Sequence, residues 1–276
     1  MRSLALLAPD LAAVPSVFVT ELNRVSHNGL LHQLQRLRGR LYLEDDAIEH
    51  WQLTMDERHD VPADWLSWHL LTLDDDLVTG GARLRVHARN ASFSDLGVAE
   101  SAQAASPMWG IALADSVSRD LERARSEGLR FVEAGGWALV PELRCTTEAL
   151  HIALGGFAVG GLLGGALGLC TATVRHHSAS ILRRLGAGSF VWQGREVPPY
   201  YDAAYRCEME VLRFDSRTPN PRFQPLIEGL REELLAQPVL CASVDAATSR
   251  SLRSLDHVVQ GYPREAGAPL ETETPL

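Results

Sequence analysis

The chain has 276 residues, 46% of them hydrophobic and 22% charged, enough sequence for one large core or a core with an appendage. Its 26 Lys and Arg against 35 Asp and Glu give a net charge of -9, with no basic block longer than a helix face, which argues against general nucleic-acid binding. Cys145, Cys170, Cys207 and Cys241 lie far apart with no C-x-x-C pair, so they signal neither a zinc site nor a disulfide framework, and a reducing cytoplasmic setting is expected.

Residues 1–29 read as an irregular N-terminal segment with a short strand at Val17–Val19; the apolar run before Pro9 is too short for a signal peptide. Leu30, Leu31, Leu34, Leu37 and Leu41 predict a helix to Tyr42. Arg36, Arg38 and Arg40 occupy its other faces, as a solvated surface or a docking surface for an acidic partner. After the acidic connection that includes Asp56 and Asp60, Trp65–Leu73 and Leu77–His87 form an antiparallel pair across an Asp74–Asp76 turn. Alternation puts Arg83, Arg85 and His87 on one face of the second strand, which is either solvent-facing or a polar cleft. A polar loop, residues 90–107, leads to an amphipathic helix over Ala114–Glu127, closed by Gly128.

The most informative stretch follows. Phe131–Val140 is a strand interrupted by the Gly135-Gly136 pair, which marks a bulge or a close approach of backbone or ligand. Cys145–Thr147 offers capping chemistry to a small-residue apolar helix running from Glu148 to about Ala166. Leu167–Val174 returns as a strand, and His177–Leu185 forms a helix that stops at Gly186. Strand, helix and strand make a βαβ unit, which requires parallel pairing and sets a helix N-terminus beside the strand ends. The apolar stretch from Ala149 to Ala172 is expected to be a buried helix followed by a buried strand, with no stable membrane insertion, because glycines interrupt it and no aromatic belt flanks it. Two further strands, Ser189–Gln193 and Arg206–Asp215, precede a helix over Phe223–Leu235, and a disordered tail is expected from Gly261. The resulting division is residues 1–29, a main domain over 30–216, a helical appendage over 217–260 and a tail over 261–276.

This element order resembles the GNAT acyltransferase fold, an α/β fold with a central twisted, mixed sheet flanked by helices. In that family the fourth strand passes through V-x-P-x-x-R into a Q/R-x-x-G-x-G/A loop whose amides hold the coenzyme A pyrophosphate. The matching residues here are Val140, Arg144 and Ala149, with Thr147 where the family prefers glycine. The hydroxyls of Thr146 and Thr147 are candidates for phosphate contacts, or simply for helix caps. The family's helix pattern N-x-x-A-x-x-L-Y-x-x-L-G is matched by His176–Gly186 in outline, with Leu182 in place of the Tyr that often protonates the leaving thiolate; Tyr200, Tyr201 or Tyr205 are the candidate substitutes, or water protonates the thiol. Within the fold, the pattern is most similar to the acyl-homoserine-lactone and N-acyl amino acid synthases, through Asp56–Asp60, Gly80–Leu84 and Glu133.

The resemblance implies an N-acyltransferase acting on a primary amine, such as an amino acid. The donor is a thioester of coenzyme A or of an acidic acyl carrier protein, used as co-substrate with no permanently bound cofactor and no metal. Glu133 is the candidate catalytic base, its pKa expected to be raised in an apolar setting, or else a structural partner of Arg83. Asp56, Asp60, Arg83, Trp137 and His176 are the candidate substrate-binding residues. Rival readings are acetyl-coenzyme A-dependent N-acetylation, a GNAT-like binding module without chemistry, and a Cys145 nucleophile with His151 or His176 nearby. The adjacent His176 and His177 diverge and lack a suitably spaced carboxylate, which argues against a metal pair. The small residues of the 148–166 helix serve either close packing on the sheet or an apolar acyl groove.

Overall fold

The structure, a computed structural model, describes residues 2–10, 13–144 and 146–243. Cys145 and the tail expected from residue 261 lie outside the described residues. The first half of the chain forms β1 (Arg2–Leu7), β2 (Thr20–Leu22), α1 (Arg24–Glu44), the short α2 (Pro62–Trp65), β3 (Ser67–Asp74), β4 (Leu77–Val86) and α3 (Gly110–Ser126). There follow β5 (Arg130–Leu139), α4 (Glu148–Leu162), β6 (Ala166–Thr173), α5 (Ser178–Leu185), β7 (Gly188–Ser189), β8 (Val191–Trp192) and β9 (Arg195–Glu196). The last described elements are β10 (Tyr200–Asp202), β11 (Cys207–Asp215), α6 (Gln224–Ala236) and β12 (Val239–Cys241).

Among the described residues the sheet has ten strands, in the order β10-β11-β6-β5-β4-β3-β1-β12-β2, with β7 also on β11. β3 pairs antiparallel with β4, as the Asp74–Asp76 turn predicts, and β4 antiparallel with β5, whereas β5 and β6 are parallel because α4 crosses between them. This mixed sheet flanked by helices is the α/β architecture that the element order implied. Helices α1 and α3 cover one face; α4, α5 and α6 cover the other.

Several boundaries differ from the sequence reading. Val17–Val19 forms no strand; Phe18 packs into the core and β2 begins at Thr20. Residues 2–7 pair antiparallel with β3 along their whole length, and β12 inserts between β1 and β2. Residues 29 and 217 are therefore not seams: both flanking segments complete the sheet of the main domain. Helix α1 begins at Arg24 rather than Leu30, because Asn23 caps it by accepting from the Ser26 amide and His27 is buried against the Ala8 carbonyl. Helix α4 stops at Leu162 rather than near Ala166, since Gly164 and Gly165 take left-handed conformations with φ of 93° and 94° and turn the chain into β6. No helix among the described residues is long and apolar enough to cross a membrane. Helix α4 instead packs against β3, β4, β5 and α6.

Candidate active site

Two local features of β5 create the site. On β4, Gly81 faces Ala138 and Arg83 faces Gly135, so Ala82 alone stands opposite both Gly136 and Trp137. This is a β-bulge, and Gly136 occupies its left-handed position with φ of 62°, where a side chain would be strained. The bulge resets the alternation: Val132 and Ala134 pack toward α4 before it, and Trp137 and Leu139 do so after it. The glycine pair thus does what the sequence reading assigned to it. The second feature is the β5–β6 ladder, which pairs Arg130 with Ala166 and ends where Ala134 meets Cys170, although β5 continues to Leu139 and β6 to Thr173. Beyond Ala134 the two strands part.

A cavity of about 970 Å³ occupies this gap and passes from one face of the sheet to the other. Toward α1 its walls are polar, including Asp45, Arg83, Arg85, Glu133 and Tyr205. Toward α4 and α5 they are apolar, including Leu84, Ile152, Ala153, Phe157, Ile181 and Phe214.

Glu133 lines the polar arm. Its carboxylate accepts from His87 Nε2 at 3.2 Å and from the amides of Gly97 at 2.9 Å and Val98 at 2.8 Å. Burial disfavours its charge, but these hydrogen bonds outweigh burial and hold its pKa below the usual value of 4.5. Both sequence expectations for Glu133 are corrected: the pKa is lowered, not raised, and its partner is His87, not Arg83. Arg83 donates to Asp64 at 3.1 Å.

Asp64 was missed in the sequence, yet it organises the polar wall. It sits in the short α2, 0% exposed at its side chain, and forms an ion pair with Arg38 of α1, whose side chain is 1% exposed. Burial opposes both charges, and their mutual hydrogen bonds prevail, lowering the carboxyl's pKa and raising that of the guanidinium. Arg38 is therefore core, while its neighbours Arg36 and Arg40 are exposed. The i, i+4 relation of Arg38 to Leu34, on the apolar stripe, was the available signal.

Asp56 and Asp60 do not reach the cavity. Asp56 is exposed and held by Arg36, Arg58 and Thr54, and Asp60 accepts from Gln35 and from the Trp65 indole. The acidic stretch instead braces the loop against α1. Trp137, Arg144, Thr146, Ala149 and His176 all line the cavity, whereas Val140 and Thr147 are not among its walls. Thr146 Oγ1 donates to the Leu143 carbonyl and accepts from the Glu148 amide, while Thr147 makes no side-chain cap. His176 lies 3.3 Å from Asp45. Leu182 lines the cavity, as do Tyr200 and Tyr205, while Tyr201 is 61% exposed. Burial pushes the Tyr200 hydroxyl up to about 12, and the neighbouring Tyr42 and burial raise that of Tyr205, so both remain protonated donors at neutral pH.

The small residues of α4 divide by surroundings. A Cβ on Gly155 would stand 2.4 Å from Leu70 Cδ2 and one on Gly160 would stand 2.9 Å from Ser216 Cβ, so both serve close packing. Gly156 lines the cavity, and a Cβ there would meet only Leu84 Cδ2, at 3.8 Å.

No family model matches the sequence, and no curated protein matches it. Among solved structures, the chain is similar to a CoA-dependent acyl-homoserine lactone synthase, BjaI, with SAM and isopentyl-CoA, at 15% identity over 80% of this chain and 90% of that one, TM-score 0.49. It is similar to MesI, also a CoA-dependent acyl-homoserine lactone synthase, at 15% identity over 87% of this chain and 100% of that one, TM-score 0.48. It is also similar to FeeM, an N-acyl amino acid synthase from uncultured soil microbes, at 10% identity over 79% of this chain and 92% of that one, TM-score 0.44.

Proposed function

We propose that the chain is an N-acyltransferase that moves an acyl group longer than acetyl from a thioester donor to a small primary amine. The observation that carries this reading is the cavity through the split sheet, polar on one face and apolar on the other. The acyl chain occupies the apolar arm, the amine the polar arm, and the thioester carbonyl the crossing between them. The donor's phosphates, on coenzyme A or on the phosphopantetheine arm of an acyl carrier protein, lie toward Arg144 and Thr146 at the start of α4.

The amine nitrogen attacks the thioester carbon, forming a C–N bond and a tetrahedral oxyanion; its collapse breaks the C–S bond. Backbone amides in the bulged stretch from Gly135 to Ala138 border the gap and are the candidate oxyanion donors. The low proton affinity of Glu133 suits it to hold the acceptor's ammonium group. It is also suited to take the acidic proton of the tetrahedral ammonium adduct, though poorly to strip a free ammonium. With Leu182 at the family's Tyr position, Tyr200 and Tyr205 are the groups on this wall able to supply a proton to the departing thiolate.

The test incubates the purified protein with acetyl-, hexanoyl- and dodecanoyl-coenzyme A, or the same acyl carrier protein thioesters, and a mixture of amines. Free thiol and acyl amides are then measured. Amine-dependent thiol release that rises with chain length is expected. Tight coenzyme A binding with no amine-dependent release would favour a binding module, a reading that Leu182 and Thr147 motivate. Release from acetyl-coenzyme A alone would favour plain acetylation.

A further inference from the structure

Three basic residues share one face of β4, Arg83, Arg85 and His87, and the two arginines line the polar arm. Two are spoken for, Arg83 by Asp64 and His87 by Glu133. Arg85 stands directly across the ladder from Glu133, where opposite charges would ordinarily pair. They do not: the Glu133 carboxylate is turned toward His87 and the Gly97 and Val98 amides, three donors that leave one of its roughly four acceptor sites, on Oε1, for a ligand. Asp95 feels the charge of Arg85, yet its own carboxylate is bound by Ser92. Among the described residues Arg85 has no hydrogen-bond or ion-pair partner, and it is half-buried in the cavity wall. A guanidinium taken partly out of water without a partner is costly, and its five donors form a planar fork that matches a carboxylate.

We infer that Arg85 is an anion subsite of the polar arm, and that the acceptor is a zwitterion whose carboxylate binds Arg85 while its ammonium binds Glu133. This rests on the acyltransferase reading and deepens it. Registered cross-strand side chains start about 5 Å apart, which suits an ammonium and a carboxylate carried on one carbon. A donor phosphate fits the place less well, because the Glu133 carboxylate beside it is ionised and would repel a polyanion.

The experiment compares leucine with isopentylamine and phenylalanine with phenethylamine, each amino acid against its decarboxylated analogue. Two readouts are taken for the wild type, Arg85→Met and Arg85→Lys: kcat/KM for thiol release from dodecanoyl-coenzyme A, and direct binding by calorimetry. The wild type is expected to prefer the better amino acid over its amine by about 10- to 100-fold, the worth of a charge-assisted bidentate contact. Arg85→Met should collapse that preference at least tenfold with an unchanged melting temperature, and Arg85→Lys should keep part of it. A preference unchanged in Arg85→Met, or a wild type that favours the amines, overturns the assignment. If no acceptor supports turnover, the acyltransferase reading fails separately. Calorimetry then decides the subsite alone, by whether amino-acid binding is present and lost with Arg85.

Discussion

Replacing Gly156 by Leu should separate acyl binding from folding. Gly156 borders the apolar arm, and a Cβ there meets its nearest neighbour at 3.8 Å, an ordinary contact, so the new side chain points into the cavity without displacing backbone. Exchanging glycine for leucine within a helix gains roughly 0.5–1 kcal/mol of helix propensity, so the melting temperature should hold or rise. The four added carbons exclude about three methylenes of a long acyl chain, each worth about 0.8 kcal/mol, or about 2.4 kcal/mol and a roughly 60-fold loss in affinity. Acetyl donors do not reach that depth and should bind nearly as before. The assay is the Kd or KM for acetyl-, hexanoyl- and dodecanoyl-coenzyme A on wild type and Gly156→Leu. Equal losses for acetyl and dodecanoyl donors, or none for either in a folded variant, would refute the placement of the acyl chain. Gly160→Leu is the contrast, because its Cβ would already lie 2.9 Å from Ser216; it should lose stability first.

Other outcomes follow from the polar wall and from the start of α4. Asp64→Asn strips the fully buried Arg38 of its counter-charge and should cost about 3–5 kcal/mol in denaturant unfolding; a loss under about 1 kcal/mol would contradict the network. His69 is buried, donates to the Asp64 carbonyl and has its pKa lowered by burial from 6.5 to about 4, so the unfolded chain binds a proton that the folded one refuses between those values. This group should therefore make stability fall as pH drops from about 6.5 toward 4, by up to about 1.4 kcal/mol per unit, and His69→Gln should remove that share, while His59, lowered by burial to about 4 in the same way, keeps its own. The lowered pKa of Asp64 acts in a different window: its contribution is complete above the unfolded value of 3.8 and is lost as pH falls below it. Thr146→Ala should cost about 1 kcal/mol and weaken donor binding, while Thr147→Ala, which removes no cap, should leave stability within about 0.5 kcal/mol.

What the sequence made legible follows local rules. The Asp74–Asp76 turn, the parallel pair around α4, and the Gly135-Gly136 bulge each have a signature within a few residues, and each stands where it was expected. The misplacements depend on partners far along the chain. Residues 2–7 become a strand because β3 lies alongside them, and β12 joins from more than 230 residues away. Arg38 read as solvated because nothing near it in sequence announces Asp64, 26 residues on, as a buried counter-charge. The raised pKa expected for Glu133 assumed apolar surroundings; the amides of Gly97 and Val98, from a loop that reads as merely polar, reverse the shift.

The same physics explains why chemistry would sit at the split rather than on either face. A parallel ladder that ends at Ala134 and Cys170 leaves the facing backbone groups of β5 without a strand partner just where the bulge sharpens the local twist. Such groups are costly to bury unless something accepts from them, and a developing oxyanion is the acceptor that gains most from fixed amides in a poorly solvated gap. Sheet pleat sends Glu133 and the Arg83, Arg85 and His87 face to one side, and Val132, Ala134 and Leu84 to the other. A molecule with a charged head and an apolar tail can therefore satisfy both sides only by threading the gap. Threading places the bond joining head to tail at the backbone between them, and an acyl amide is a product whose new bond lies at that junction.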